Sequence, residues 1–286
     1  MTNSAIAFSG GGDSTYVLYR LLTDTSDSIT AILFEKPENQ NVKLNIYPPS
    51  INVRINSLVT RLKQIRNFNF ERVTVTNSDI TPDTDHYHLF FINYCAQKIN
   101  NGQLDRLVTG RSWEQYDQVQ IAGKQGTPTD YAMVNLFNKI CTRGEIWQPL
   151  VTHDYHQKYN RFHLLENLPS DIIDLTVSCA NPIVNPDKTD VSDCGKCFKC
   201  LWDTKVKQLI AQGWNPTQID TWRKLKSLQY GGGNGLTAPI RYWIGVEMGR
   251  DFFPGLDTKQ KVMQKIQTEQ TYILNNRDLN GVWKIE

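Results

Sequence analysis

Over its first 110 residues the chain alternates short apolar runs with amphipathic stretches. Residues 5–8 (AIAF), 28–34 (SITAILF), 72–76 (RVTVT) and 106–110 (RLVTG) are short and rich in apolar or β-branched side chains, which predicts four strands. The segments between them have helical spacing. After Ser14, the residues Tyr16, Val17, Leu18, Tyr19, Leu21 and Leu22 predict a mostly buried helix. Ile51, Ile55, Leu58, Val59, Leu62 and Ile65 repeat at i, i+4, i+7 and i+8, with Ser50 placed to cap them after Pro48 and Pro49. Leu89, Ile92, Ala96 and Ile99 predict a third helix, closed by the sequence NNG. Strands alternating with helices predict a parallel sheet with right-handed crossovers. Ligands of such sheets lie beyond the carboxyl ends of the strands. Residues 9–14, the stretch after Phe34 and the sequence TGRSWEQYD (109–117) therefore border one crevice.

Further along, a helix is expected over 130–141, and EIWQPL (145–150) leads into a polar loop that enters another helix before residue 168. LTVSC (175–179) reads as the end of a strand. Beyond about residue 205 the character changes: tryptophans stand at 202, 214 and 222, a glycine cluster GGGNG at 231–235 reads as a loop, and Val262, Ile266, Ile273 and Leu274 mark a closing helix over 258–275. The expected organisation is an α/β domain over 1–175, a cysteine-containing region over 176–205 and a helical extension over 206–286.

The stretch AFSGGGDSTYVLYRLL sets three glycines between the first strand and the first helix. A strand, a glycine turn and a helix aim backbone N–H groups at an anion. Glycine lets that backbone approach a ligand closely. Ser9, Ser14 and Thr15 add hydroxyls, and Asp13 can hold a cation that neutralises phosphate. The plainer alternative is a strand-to-helix turn with no ligand.

Composition narrows the partners. The chain has 286 residues with 40% hydrophobic and 21% charged side chains, as in an ordinary globular protein. Net charge is +2, spread evenly: residues 1–150 carry 14 basic and 14 acidic side chains, and residues 151–286 carry 17 and 15. Lys205 with Lys207, and Arg223 with Lys224 and Lys226, are local concentrations that a solvated helix face explains, so charge does not indicate a nucleic-acid partner. No apolar run reaches the length of a membrane span, and the glycine loop starts too early to leave room for a targeting segment. A cytoplasmic location is expected.

Four of the six cysteines, Cys179, Cys194, Cys197 and Cys200, fall within 22 residues. CGKCFKC lets three sulfurs face one point, and Cys179 supplies a fourth. Four thiolates suit a closed, structural zinc site, one per chain. An iron–sulfur cluster and a redox pair are the other readings. Disulfides are disfavoured without a secretion signal. Cys95 and Cys141 lie in predicted helices and read as packing residues, and the pairs His86/His88 and His153/His156 read as surface or loop positions.

The order Ser9-Gly10-Gly11-Gly12-Asp13-Ser14 resembles the SGGxDS loop of the PP-loop ATP pyrophosphatases. Together with Cys179, Cys194, Cys197 and Cys200, and with the segment from Pro149 to Cys179, it is similar to the 7-cyano-7-deazaguanine synthases (the QueC branch) of queuosine biosynthesis. The likeness covers residues 4–205. It implies an α/β fold with a parallel five-stranded sheet flanked by helices, of the adenine nucleotide alpha hydrolase type, followed by a zinc-binding helical region. It implies ATP and Mg2+ as cofactors, with Ser9, Gly10, Gly11, Gly12, Asp13, Ser14, Phe34 and Lys158 around ATP. The acceptor and ammonia are the implied small-molecule partners, with a homodimer as one arrangement. Family members convert 7-carboxy-7-deazaguanine through an amide to the nitrile. The candidate acceptor residues are Arg111, for a carboxylate, and Trp113 and Tyr116, for a planar heterocycle, although the two aromatics can equally pack the loop against the sheet.

The sequence departs from that family in three places. Fourteen residues separate Cys179 from Cys194, more than is usual, so an insertion is expected there. No counterpart of the family's Tyr-Pro-Asp-Cys-Arg segment follows TGRSWEQYD. The chain also continues from 201 to 286. Divergent relatives occur in phages and in defence or DNA-modification gene sets. Two alternatives stand beside the ligase: ATP pyrophosphatase chemistry on a tRNA base or protein group, and a nucleotide-binding module without catalysis.

Overall fold

The computed structural model describes residues 1–37, 51–81, 87–110, 119–121, 124–126, 128–150, 167–179, 182–186, 190–195 and 198–215. Strands β1 (Asn3–Ala7), β2 (Ser28–Glu35), β3 (Asn69–Thr74), β4 (Arg106–Thr109) and β7 (Glu145–Trp147) form one five-stranded sheet in the order β3-β2-β1-β4-β7. Every neighbouring pair in it is parallel. Helices α1 (Gly12–Asp24), α2 (Asn52–Lys63), α3 (Tyr87–Asn100) and α4 (Pro128–Ile140) flank the sheet. The short hairpin β5 (Val119–Ile121) and β6 (Lys124–Gly126) precedes α4. The α/β class, the parallel sheet and its five strands are as expected.

Side-chain alternation sorts the strands between two cores. Ile6 and Phe8 of the β1 segment, Ile29, Ala31 and Leu33 of β2 and Val108 of β4 pack with α1 and α2. Ala5, Ala7, Ile32, Phe34 and Leu107 face the other way, into a core with α3 and α4. Both faces are therefore covered, which is why β1 and β2 read as near-continuous apolar runs. The edge strand β3 has no fully buried residue. It starts at Asn69, earlier than the 72–76 expected from its β-branched run.

The chain winds from β1 through β2 to β3, then crosses to the other side of β1 for β4 and β7. This reversal leaves a gap in the helix covering beyond the carboxyl ends of β1 and β4, where ligands of open parallel sheets bind. Ala7, the last residue of β1, is in register with Thr109, the last residue of β4. The Ser9–Ser14 loop leaves from that point.

Residues 175–179 are not the strand that LTVSC suggested. They follow a single helical turn, Ser170–Ile173, as irregular chain. Their main chain joins the glycine loop, since Val177 N–H donates to Gly10 C=O at 2.8 Å. The long gap after Cys179 folds as a hairpin, β8 (Ile183–Val184) against β9 (Val191–Ser192), and a helix, Phe198–Ala211, follows. That helix runs through residues 205 and 206, where the cysteine region was expected to join the extension. The anticipated helix before 168, the glycine cluster at 231–235 and the helix over 258–275 lie outside the described residues. Among the described residues, no helix is long and apolar enough to cross a membrane.

Candidate functional site

The glycine loop is shaped by its own hydroxyls. Ser14 Oγ accepts Ser9 N–H at 3.2 Å, donates to Gly11 C=O at 3.1 Å and lies 3.1 Å from Ser9 Oγ. Ser9 Oγ also accepts Gly11 N–H at 3.3 Å. Gly10 has φ +72°, a left-handed conformation that favours glycine, and a Cβ there would stand 2.0 Å from Ile55 Cδ1 of α2. Gly11 is the N-cap of α1 and brings no capping side chain. The positive end of the helix dipole is thus left to other groups. Gly12 N–H donates to Ser178 Oγ at 3.1 Å, a contact from 166 positions along the chain.

The end of β4 closes the other side. A Cβ on Gly110 would stand 2.5 Å from Ser14 Cα and 2.8 Å from Ser14 N, so only glycine lets this strand end lie against the first turn of α1. Two hydroxyls at this junction, Thr15 Oγ1 and Thr109 Oγ1, are buried without a hydrogen-bond partner. Leaving a buried hydroxyl unpaired costs about 1–3 kcal/mol, which a ligand oxygen can recover. The main-chain donors and the hydroxyls together suit an anionic group such as phosphate. The residues present fit the phosphate part of ATP.

Phe34 sits elsewhere. It is 1% exposed and makes edge-to-face contacts with Tyr87, Phe90, Phe91 and Tyr94 at centroid separations of 5.0–6.3 Å. Its ring belongs to the α3 core, so what it offers an adenine is limited to the end of β2. Arg111, Trp113, Tyr116 and Lys158 lie outside the described residues.

The cysteines assemble beside the loop. The sulfurs of Cys179, Cys194 and Cys200 lie within 4.8 Å of one another, with 3.9 Å between Cys194 and Cys200. Four thiolates at about 2.3 Å around a tetrahedral zinc would be about 3.8 Å apart, so the spacing fits zinc. Cys194 N–H also donates to Cys179 Sγ at 3.3 Å. Cys197, the expected fourth ligand, lies outside the described residues. Cys179 and Cys200 are buried, which suits a closed structural site.

Ion pairs dock this region on α2. Arg54 Nε and Nη2 reach the two carboxylate oxygens of Asp190 at 3.0 Å each, and Arg61 pairs with Asp171. The Arg54 guanidinium holds the Asp190 carboxyl below its ordinary range. Ile55, between these arginines, is the side chain that meets Gly10. The first turn of α2 therefore meets the cysteine region through Arg54 and the glycine loop through Ile55, while Arg61 in its last turn holds the helical turn at Ser170–Ile173.

The remaining thiols are badly placed for chemistry at this crevice. Cys95 is fully buried in the α3 core, and burial pushes its thiol well up. Cys141 follows α4, whose last turn is tied to Asn100, and Gly144 close by packs on Asp105 C=O just before β4. That is the amino end of the sheet, opposite the loop, and burial raises the Cys141 thiol as well.

The pattern along the chain placed Thr109 and Gly110 at the crevice only as part of the strand end 109–117, and singled out neither the close approach of Gly110 nor Ser178. Gly110 carried a signal, as the glycine that ends a predicted strand, whereas Ser178 is marked only by its contact with Gly12 across 166 positions.

No protein-family model matches the chain, and no curated protein does. Among solved structures it is similar to the crystal structure of a predicted subunit of tRNA methyltransferase from Methanocaldococcus jannaschii. That likeness has a TM-score of 0.31 at 13% identity, covering 76% of this chain and 92% of the other. So loose a likeness assigns no function.

Proposed function

We propose that the chain is an ATP-dependent, AMP- and pyrophosphate-forming ligase of the 7-cyano-7-deazaguanine synthase type. It adenylates a carboxylate, such as that of 7-carboxy-7-deazaguanine, for reaction with ammonia. The observation that carries this reading is the glycine loop, which sets the α1 N-terminus, three hydroxyls and Asp13 at the β1–β4 reversal. Main-chain N–H groups at Gly11 and Gly12, with Ser9 and Ser14, bind phosphate oxygens. Asp13 would hold Mg2+, which supplies neutralisation of the phosphate charge. Lys158 adds a cation, and the end of β2 at Phe34 borders the adenosine.

The bond between the α- and β-phosphates of ATP opens, pyrophosphate leaves, and the α-phosphoryl group passes to a carboxylate oxygen of the acceptor. Ammonia then attacks the acyl carbon and AMP departs with that oxygen, giving the amide. A second adenylation, on the amide oxygen, lets that oxygen leave with AMP and gives the nitrile. Arg111 orients the carboxylate, and Trp113 and Tyr116 cover the heterocycle. Cys179, Cys194, Cys197 and Cys200 hold one structural zinc.

One observation favours a second reading on the acceptor alone. The family's Tyr-Pro-Asp-Cys-Arg segment has no counterpart here, which fits a different acceptor, such as a tRNA base or a protein group, for the same ATP chemistry. Sulfur transfer is the least suited version, because Cys95 and Cys141 are buried or remote. Incubation with ATP, Mg2+, ammonium and 7-carboxy-7-deazaguanine, followed by mass spectrometry, tests the acceptor. The nitrile is the expected product, and intact acid alongside ATP cleavage driven by another acceptor would replace it with the second reading.

A further inference from the structure

We propose that Ser178 is a phosphate-binding residue, delivered to the glycine loop by the cysteine cluster that adjoins it in sequence. This rests on the reading of residues 9–14 as a nucleotide-phosphate loop. The Ser178 hydroxyl accepts the N–H of Gly12, the first residue of α1, at 3.1 Å. The first N–H groups of a helix are where an anionic oxygen is best stabilised. The serine oxygen therefore stands where a phosphate oxygen is expected. When phosphate takes that N–H, the hydroxyl is left beside it and can turn from acceptor to donor.

Independent groups indicate that the junction is built to receive an oxygen. Thr15 in the first turn of α1 and Thr109 at the end of β4 are 0% exposed, and their hydroxyls have no partner. Gly110 holds the two elements together at main-chain contact. A ligand oxygen bound beyond the carboxyl ends of the paired strands β1 and β4 would offer these hydroxyls the partner that the protein alone does not supply.

The position of Ser178 is fixed from both sides. Before it, Val177 N–H donates to Gly10 C=O at 2.8 Å. After it, Cys179 is buried and its sulfur accepts Cys194 N–H at 3.3 Å. A metal ion held by Cys179, Cys194 and Cys200 would anchor the residue next to Ser178. The cluster thus bears on phosphate binding through one covalent step, without touching the nucleotide.

The test compares metal-loaded full-length protein with Ser178→Ala and Ser178→Thr, titrated with ATP and with tripolyphosphate, with bound metal measured in each. Ser178→Ala is expected to raise both dissociation constants roughly ten-fold, the loss of one hydrogen bond to a charged group, with metal content unchanged. Ser178→Thr, which keeps the hydroxyl, is expected to restore most of the affinity. Wild-type binding with unchanged or tighter binding by Ser178→Ala overturns the proposal alone. Wild-type protein that binds neither ligand overturns the phosphate-loop reading and the proposal with it. Delivery by the cluster is read without nucleotide: chelation is expected to speed hydrogen exchange in peptides covering 9–15, and unchanged exchange there overturns that part.

Discussion

Gly110→Ala isolates the packing that makes the crevice. The added Cβ would meet Ser14 Cα at 2.5 Å, Ser14 N at 2.8 Å and Ser14 Cβ at 3.0 Å. Carbon atoms rest at about 3.5–4.0 Å, so β4 and α1 must part by about 1 Å. The nearest opposing atoms are main chain, so no rotamer change relieves the contact. Overpacking of this kind costs roughly 1–3 kcal/mol. The larger effect is expected on chemistry, because the same 1 Å falls between the phosphate loop and the strand end carrying Thr109. A misplacement of about that size can cost on the order of 100-fold in turnover. Urea unfolding gives the first quantity, and AMP release at saturating ATP gives the second. Gly213→Ala is the control: Gly213 has φ +84° with nothing within 4 Å of its built Cβ, so backbone strain of about 1 kcal/mol is expected there without a catalytic effect. Equal stability and equal AMP release for Gly110→Ala and wild type would refute the claim that glycine is needed at this junction.

Cys200→Ser should lose the bound metal and lower the urea midpoint, because a closed site contributes folding energy, and metal retained at full occupancy would contradict the cluster. Acid should weaken the docking of the cysteine region on α2. The Asp190 carboxyl is depressed by Arg54, so the pair's contribution is present above the unfolded-chain value of about 3.9 and is lost as pH falls through the lower folded value. Both side chains are partly exposed, so the difference in stability between wild type and Arg54→Met should be within about 1 kcal/mol above pH 5 and shrink steadily as pH falls below the unfolded-chain value. A difference that stays constant or grows on acidification would contradict the assignment. Arg111→Ala should raise the acceptor KM or abolish turnover while leaving ATP affinity alone, and unchanged kinetics would move the acceptor pocket elsewhere.

The sequence showed most clearly those features that local chemistry dictates. β1 and β2 are buried on both faces, so their apolar runs stood out, and the glycine loop was legible because its hydroxyls and acid lie within six residues. The edge strand β3 was displaced because Asn69, Glu71 and Arg72 are polar, and its only partial cover, Phe70 against one core and Val73 against the other, leaves no continuous apolar run to mark its start. Residues 175–179 look β-branched enough for a strand, yet Val177 spends its N–H on Gly10 and joins no sheet. Spacing grouped the cysteines, and the family resemblance marked the long gap after Cys179, but neither indicated the hairpin that the gap forms. Ser178 could not be found that way, since its role depends on a contact 166 residues away. Phe34 was placed by strand position, whereas the pleat turns its ring into the α3 core.

The central claim is that residues 9–14 direct cleavage between the α- and β-phosphates of ATP. Phosphorus NMR of the products formed with Mg2+, ammonium and a carboxylate acceptor tests it most directly. AMP and pyrophosphate are expected in equal amounts from wild type, and neither from an Asp13→Ala variant that unfolds at the same urea concentration. ADP and inorganic phosphate from wild type, or undiminished AMP from Asp13→Ala, would contradict it.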